Sequence, residues 1–141
     1  MKKYIALFVM LSCFYMSTIH VLAKDNVDVY LNSTNQNIKV SVYEIDGTVL
    51  VPIRPIFELF HYKIEWDNMR QRITTTTALG SMKIQIGSIL VSKNDYQAHT
   101  LSTYPRILNG MSVIPIEFAA ECTDSNIRYV ESSNAVIINS K

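Results

Sequence analysis

The sequence predicts an α+β fold of two pseudo-repeats, each strand-helix-hairpin, with two short helices packed on one twisted antiparallel sheet. Three observations predict it. Residues 45–54, IDGTVLVPIR, return sixty-three positions later as residues 108–117, LNGMSVIPIE, and the same offset pairs Glu58 with Glu121, Ile64 with Ile127, Trp66 with Tyr129 and Ile73 with Val136. Each copy carries a Gly-containing turn, a short apolar strand and then a proline. After each expected helix, apolar and polar residues alternate with the two-residue period of a half-buried strand.

In chain order, the first element is an address rather than a fold. Residues 1–23, MKKYIALFVMLSCFYMSTIHVLA, combine two lysines, an apolar stretch and a small residue at the end, the pattern of a secretory signal peptide cleaved after Ala23. An uncleaved anchor is the alternative, because the apolar region approaches the roughly 20 residues of a spanning helix. Ser12, Cys13, Ser17, Thr18 and His20 dilute it, so no stable membrane span is expected once the signal is cleaved. Residues 24–141 then form one domain, with repeat halves at about 27–77 and 89–139.

Short strands are expected at 27–31 and 38–43, joined by a polar loop at 32–37. Gly47 and Gly110 follow Asp46 and Asn109, turn formers that tolerate positive φ, and lead into strands at 49–51 and 112–114. Pro52 and Pro115 sit at the first helical turn, where a missing N–H costs nothing. The helices span 52–60 and 115–123, burying Ile53, Ile56, Phe57 and Phe60 in one copy and Ile116, Ala119, Ala120 and Thr123 in the other. His61 and Asp124 fall just beyond, where a helix commonly ends on a residue with φ > 0. Hairpins follow at 62–77 and 126–139, with Tyr62, Trp66 and Tyr129 directed at the helix-covered face and 74–77 as an exposed β-branched stretch. Further strands are expected at 81–86, 89–92 and 103–108, and a polar loop at 94–99.

Composition excludes several function classes. Thirteen basic residues stand against twelve acidic ones, and removing the two leader lysines moves the net charge from +1 to −1, leaving no electrostatic footprint for nucleic acid. Only Cys122 remains after cleavage, so no internal disulfide forms, and it reads as a small buried hydrophobe. His61 and His99 are isolated and lack metal-ligand spacing, so no metal or other cofactor is expected. Four glycines make no phosphate loop, and no serine elbow exists. Glu58 and Glu121 read as structural repeat positions, together with Gly47, Pro52, Trp66, Gly110, Pro115 and Tyr129, and Arg54 as an ion-pair partner of Glu58. Tyr30, Tyr43, Tyr96 and Tyr104, with Arg54, are the candidates for an exposed binding surface.

The segments 46–67, DGTVLVPIRPIFELFHYKIEWD, and 109–130, NGMSVIPIEFAAECTDSNIRYV, resemble the two halves of the copper amine oxidase N-terminal-like domain, the stalk domain of bacterial exported proteins. Its pattern is an Asn-Gly turn, a strand ending in Val-Pro-Leu-Arg, a helix ending in Glu-Ala-Leu-Gly-Ala, then a strand ending in Trp-Asp; residues 83–88 correspond to its central strand and glycine. The family's post-helix glycine is His61 in one copy and Asp124 in the other, and its arginine is kept as Arg54 but becomes Glu117. The resemblance implies a non-catalytic module. In the oxidases the copper and the tyrosine-derived quinone belong to a separate catalytic domain, and neither the Asn-Tyr-Asp/Glu motif nor the histidines of such a site occur here.

The leading expectation is therefore a secreted or cell-envelope accessory module that binds an extracellular protein or a cell-wall polymer, self-associates, or acts as a structural spacer. An apolar or aromatic surface patch would favour binding over spacing. Two alternatives compete: a small extracellular enzyme acting on glycan or peptide, which needs Glu58, Glu121 and His99 to converge, and a secreted inhibitor or immunity-like protein.

Overall fold

Strand-forming alternation dominates the observed structure, a computed structural model that describes residues 19–141. The expected leader therefore lies mostly outside the described residues. The strands are β1 (Val21–Leu31), β2 (Thr34–Ile45), β3 (Thr48–Pro52), β4 (Lys63–Asp67), β5 (Arg72–Thr77), β6 (Gly80–Gln85), β7 (Leu90–Lys93), β8 (Gln97–Thr100), β9 (Arg106–Leu108), β10 (Met111–Pro115), β11 (Ser125–Val130) and β12 (Ala135–Ser140). Helix α1 (Ile53–Glu58) follows β3, α2 (Ile116–Cys122) follows β10, and a 3-10 turn (Glu131–Ser133) joins the last two strands. β1 begins at Val21, inside the segment assigned to the signal peptide.

The α+β class stands, but one shared sheet does not. Seven strands form a larger sheet in the order β11-β12-β1-β2-β3-β10-β9, and five form a smaller one, β4-β5-β6-β7-β8. The reason is local. β8 and β9 do not join into one strand: Leu101 still donates its N–H to the Ile89 carbonyl at 2.8 Å, continuing the β7–β8 ladder, and beyond it Pro105 has no N–H to give. β8 itself replaces the polar loop expected at 94–99. All pairings are antiparallel except β1 with β12.

At the centre of the larger sheet β3 and β10 pair so that Val51 faces Ile114, Leu50 faces Pro115 and Pro52 faces Val113. Each of these pairs is carried into itself or another by the sixty-three-residue offset, which places a local two-fold axis at Val51 and Ile114. The outer hairpins agree as well: Lys63 faces Thr76 and Trp66 faces Ile73 in one, Asn126 faces Asn139 and Tyr129 faces Val136 in the other.

One buried cluster joins both sheets and both helices, including Val27, Val51, Ile56, Phe57, Ile84, Ile114, Ala119 and Val136. Tyr43, Ile45, Leu50 and Val113 form a second, smaller cluster. These residues alternate with Val42, Val51 and Ile114 of the first cluster, so the two cores lie on opposite faces of the same strands. The turns expected at 46–47 and 109–110 have φ of 50° and 76° in one copy and 48° and 76° in the other, the left-handed pair of a type I′ hairpin.

The helix ends follow the expected logic. His61 and Asp124 have φ of 60° and 45°. His61 N–H donates to Glu58 and Tyr62 N–H to Phe57, at 3.0 and 3.1 Å, and the Phe57 and Tyr62 rings meet edge-on at 5.0 Å. That is a Schellman cap with its apolar contact. The prolines differ by one position: Pro52 and Pro115 are the extended residues preceding each helix rather than its first turn.

Candidate functional site

Proline and a free strand edge make a wide cleft. Pro52 and Pro55 bracket the start of α1, which packs against β4, a strand with a partner only on its β5 side. The resulting groove has a volume of about 570 Å³. Its walls are Ile53, Arg54 and Pro55 of the helix, Ile64 and Trp66 of β4, Asn68 and Gln71 of the following turn, Ile73 of β5, Ile107 of β9, and Gly110, Met111 and Ser112 of the second Gly turn. Apolar side chains dominate, with a few polar groups at the margin, the usual make-up of a binding cleft.

Trp66 is the principal correction here. Its strand alternation pointed it toward the helix-covered core, yet it is 37% exposed and walls the groove. β4 is an edge strand, and no further strand covers the ring. Ile107, on the edge strand of the other sheet, is 42% exposed and faces the same cleft. Nothing in the residues around 107 marked it, because its importance comes from where β9 ends up.

Arg54 lies in the groove wall, and its Nη1 donates to Glu58 Oε1 at 3.2 Å one turn along α1. That exposed pair contributes little to stability, and the remaining guanidinium donors stay available. Outside the groove lining, at the end of β4, Asp67 accepts from Arg70 Nη1 and from the Arg70 backbone N–H, at 2.9 and 3.0 Å, and these bonds hold its carboxyl below the usual carboxylate range.

The tyrosines are not brought together. Tyr43 was expected to be exposed and is 2% exposed; it belongs to the second core, where its hydroxyl accepts from Asn109 Nδ2 at 3.2 Å. Tyr30 is half-buried in β1 between β2 and β12. Tyr96 projects from the β7–β8 turn, and Tyr104 carries the Arg106 guanidinium 4.2 Å above its ring. None of the four lines the groove.

A second cleft of about 140 Å³ brings His99, Glu121 and Cys122 into one lining. His99 Nδ1 lies 3.0 Å from Glu121 Oε1. Cys122 Sγ is 3.5 Å from Met82 Sδ, and burial, reinforced by Glu121, pushes its thiol up to about 12. A thiol that keeps its proton at neutral pH is a poor nucleophile. Glu58 is absent from this cleft and pairs with Arg54 instead, so the carboxylates of the two helices do not converge. Among the described residues no three His, Cys, Asp or Glu side chains gather as a metal site, and no described helix is long and apolar enough to cross a membrane.

A family model described as the copper amine oxidase N-terminal domain matches residues 30–138. No curated protein and no solved structure matches the chain.

Proposed function

The chain belongs to the copper amine oxidase N-terminal domain family, and from that premise we propose that it is an exported, non-catalytic accessory module that binds an extracellular protein or cell-wall polymer through the Trp66 groove. The observation that carries this reading is the groove itself, an apolar cleft with an exposed indole between two strand edges. A spacer has no use for such a cleft. Copper, named in the family's description, does not fit the residues present: among the described residues no three His, Cys, Asp or Glu side chains come together to hold it. An enzyme built on His99, Glu121 and Cys122 is disfavoured by the protonated thiol, and Glu58 lies outside that cleft.

We further infer that the module is a duplicated strand-helix-hairpin unit. The offset of sixty-three residues, the matching φ pairs of the Gly turns, the matching registers of the outer hairpins and the two-fold relation between β3 and β10 all support it. Export rests on the pattern of residues 1–23.

The test compares retention of residues 19–141, which keep β1 whole, on purified cell wall and on secreted protein from the producing organism, with Trp66→Ala alongside. Loss of an aromatic anchor from a binding cleft costs at least about 2 kcal/mol, so retention should fall at least about tenfold. Equal retention of the two proteins would remove the groove from the function.

A further inference from the structure

The offset that relates the halves also relates two clefts. Trp66, Asn68, Ile107 and Ser112 line the Trp66 groove. The residues sixty-three positions away, Tyr129, Glu131, Glu44 and Val49, line another cleft of about 200 Å³. In that second cleft the start of β1 is seated, the strand that runs from the last three residues of the expected leader into Lys24. Leu22 and Lys24 help wall it, and the start of β1 pairs antiparallel with the end of β2, Val21 opposite Ile45 and Lys24 opposite Val42. Lys24 Nζ reaches Glu131 Oε1 at 3.5 Å.

On the Trp66 side the corresponding chain goes elsewhere. Gly87, the counterpart of Lys24, donates its N–H to the carbonyl of Pro105, the counterpart of Val42, at 2.9 Å. To this point the halves agree. Further upstream they part, because Ile84 and Gln85 belong to β6, Ile84 paired between Ile73 of β5 and Val91 of β7 and Gln85 opposite Arg72 of β5. β9, the counterpart of the β2 segment that holds residues 21–23, is left as the outermost strand of the larger sheet. One row of its main-chain groups thus has no strand beside it, which is the template for strand addition.

We propose that the Trp66 groove is a strand-addition site, in which an extended segment of a partner protein pairs antiparallel with β9, its apolar side chains against Trp66 and Ile107 and an acidic one toward Arg54. This rests on the groove being the binding surface and names the class of partner. The direction and the span, about four residues, follow from how residues 21–24 lie on β2. The charge follows from what differs between the clefts. The filled one presents Glu44 and Glu131 and accepts Lys24. At the same two positions the groove presents Ile107 and Asn68, and Arg54 is the one charged residue in its wall.

A random decapeptide display library panned on the wild-type chain, with Asn68→Glu/Ile107→Glu as counter-selection, tests this. The double variant installs carboxylates that the other half already carries at these positions, and its thermal melt controls for folding; Trp66→Ala is the second control. Selected peptides should alternate apolar residues, carry an acid, and bind wild type at least tenfold more tightly than the double variant. The capped peptide Val-Leu-Ala-Lys should show the opposite preference. Methylating alternate backbone nitrogens of a selected peptide should weaken it at least tenfold, and binding should protect from exchange the Ile107 amide, the one in β9 that faces away from β10. Absence of enriched peptides, indifference to methylation, or an unprotected Ile107 amide would overturn the proposal. If solubilised cell wall shifts Trp66 emission while no peptide is enriched, strand addition falls and the groove-binding reading stands; if neither engages Trp66, both fall. A dimer that protects the same amide without peptide would overturn the partner in favour of a second copy.

Discussion

Two shielded side chains carry the residue-level physics, one departing from its sequence pattern and one following it. Thr75 was read as part of an exposed β-branched stretch, yet it has no exposed surface and its Oγ1 lacks a partner. Its strand β5 is paired along both edges, and Thr75 shares a face with Ile73, which packs into the main core. Replacing an orphaned hydroxyl by a methyl of the same shape removes a desolvation penalty of about 1–3 kcal/mol. Thr75→Val should therefore raise the midpoint of urea unfolding, by about 1 kcal/mol in stability, and a lowered midpoint would show that the hydroxyl is satisfied. Cys122 behaves as expected of a shielded thiol, raised from its ordinary 9.0 to about 12. Because the folded state holds this proton more tightly than the unfolded one, its contribution to stability is intact below pH 9 and is lost as pH rises toward 12. At pH 8 the thiolate fraction is about a thousandfold lower in the folded state. Labelling by a disulfide reagent should be slower than in denaturant by a comparable factor, and equal rates would contradict the burial.

At the scale of elements, much of the chain was legible because the signals are local. Asp46-Gly47 and Asn109-Gly110 form the turns they suggest, and His61 and Asp124 adopt the positive φ that a helix end without glycine demands. That conformation carries strain for a side chain, about 1 kcal/mol relative to glycine. His61→Gly should gain about that amount in thermal or chemical unfolding and His61→Val should lose more; equal melts for the three would show the cap to be unstrained. The helix is further tied across the halves by the Tyr62 hydroxyl, which donates to the Cys122 carbonyl at 2.5 Å. Tyr62→Phe should cost about 1 kcal/mol, read from the same unfolding curves. β8 and the burial of Tyr43 were not legible. A polar stretch such as residues 94–99 gives no alternating signal, and the face a strand buries on depends on whether its sheet is covered on one side or two. Tyr43 lies on a stretch covered on both.

Across the whole molecule, the repeat could be read from sequence and the site could not. The offset of sixty-three residues runs through the turns, helices and outer hairpins, where equivalent residues have equivalent surroundings. The groove exists where that equivalence fails: β6 draws the chain into the smaller sheet, the two sheets separate after β8, and Trp66 and Ile107 are left facing a cleft between two edges. Broken symmetry of this kind depends on which strand finds which partner, a long-range outcome that no window of residues records. Trp66 was marked as a repeat position for the fold, while its exposure, the property relevant to binding, arises from β4 having no outer neighbour. The chain contains one tryptophan, so its intrinsic fluorescence reports from this cleft alone. Titrating the protein with the cell-wall fraction or secreted protein it retains, with excitation selective for tryptophan, is the most direct measurement. The account predicts a blue shift of the emission that saturates with binding, as the half-exposed indole is covered; binding that saturates while the emission stays unchanged would contradict it.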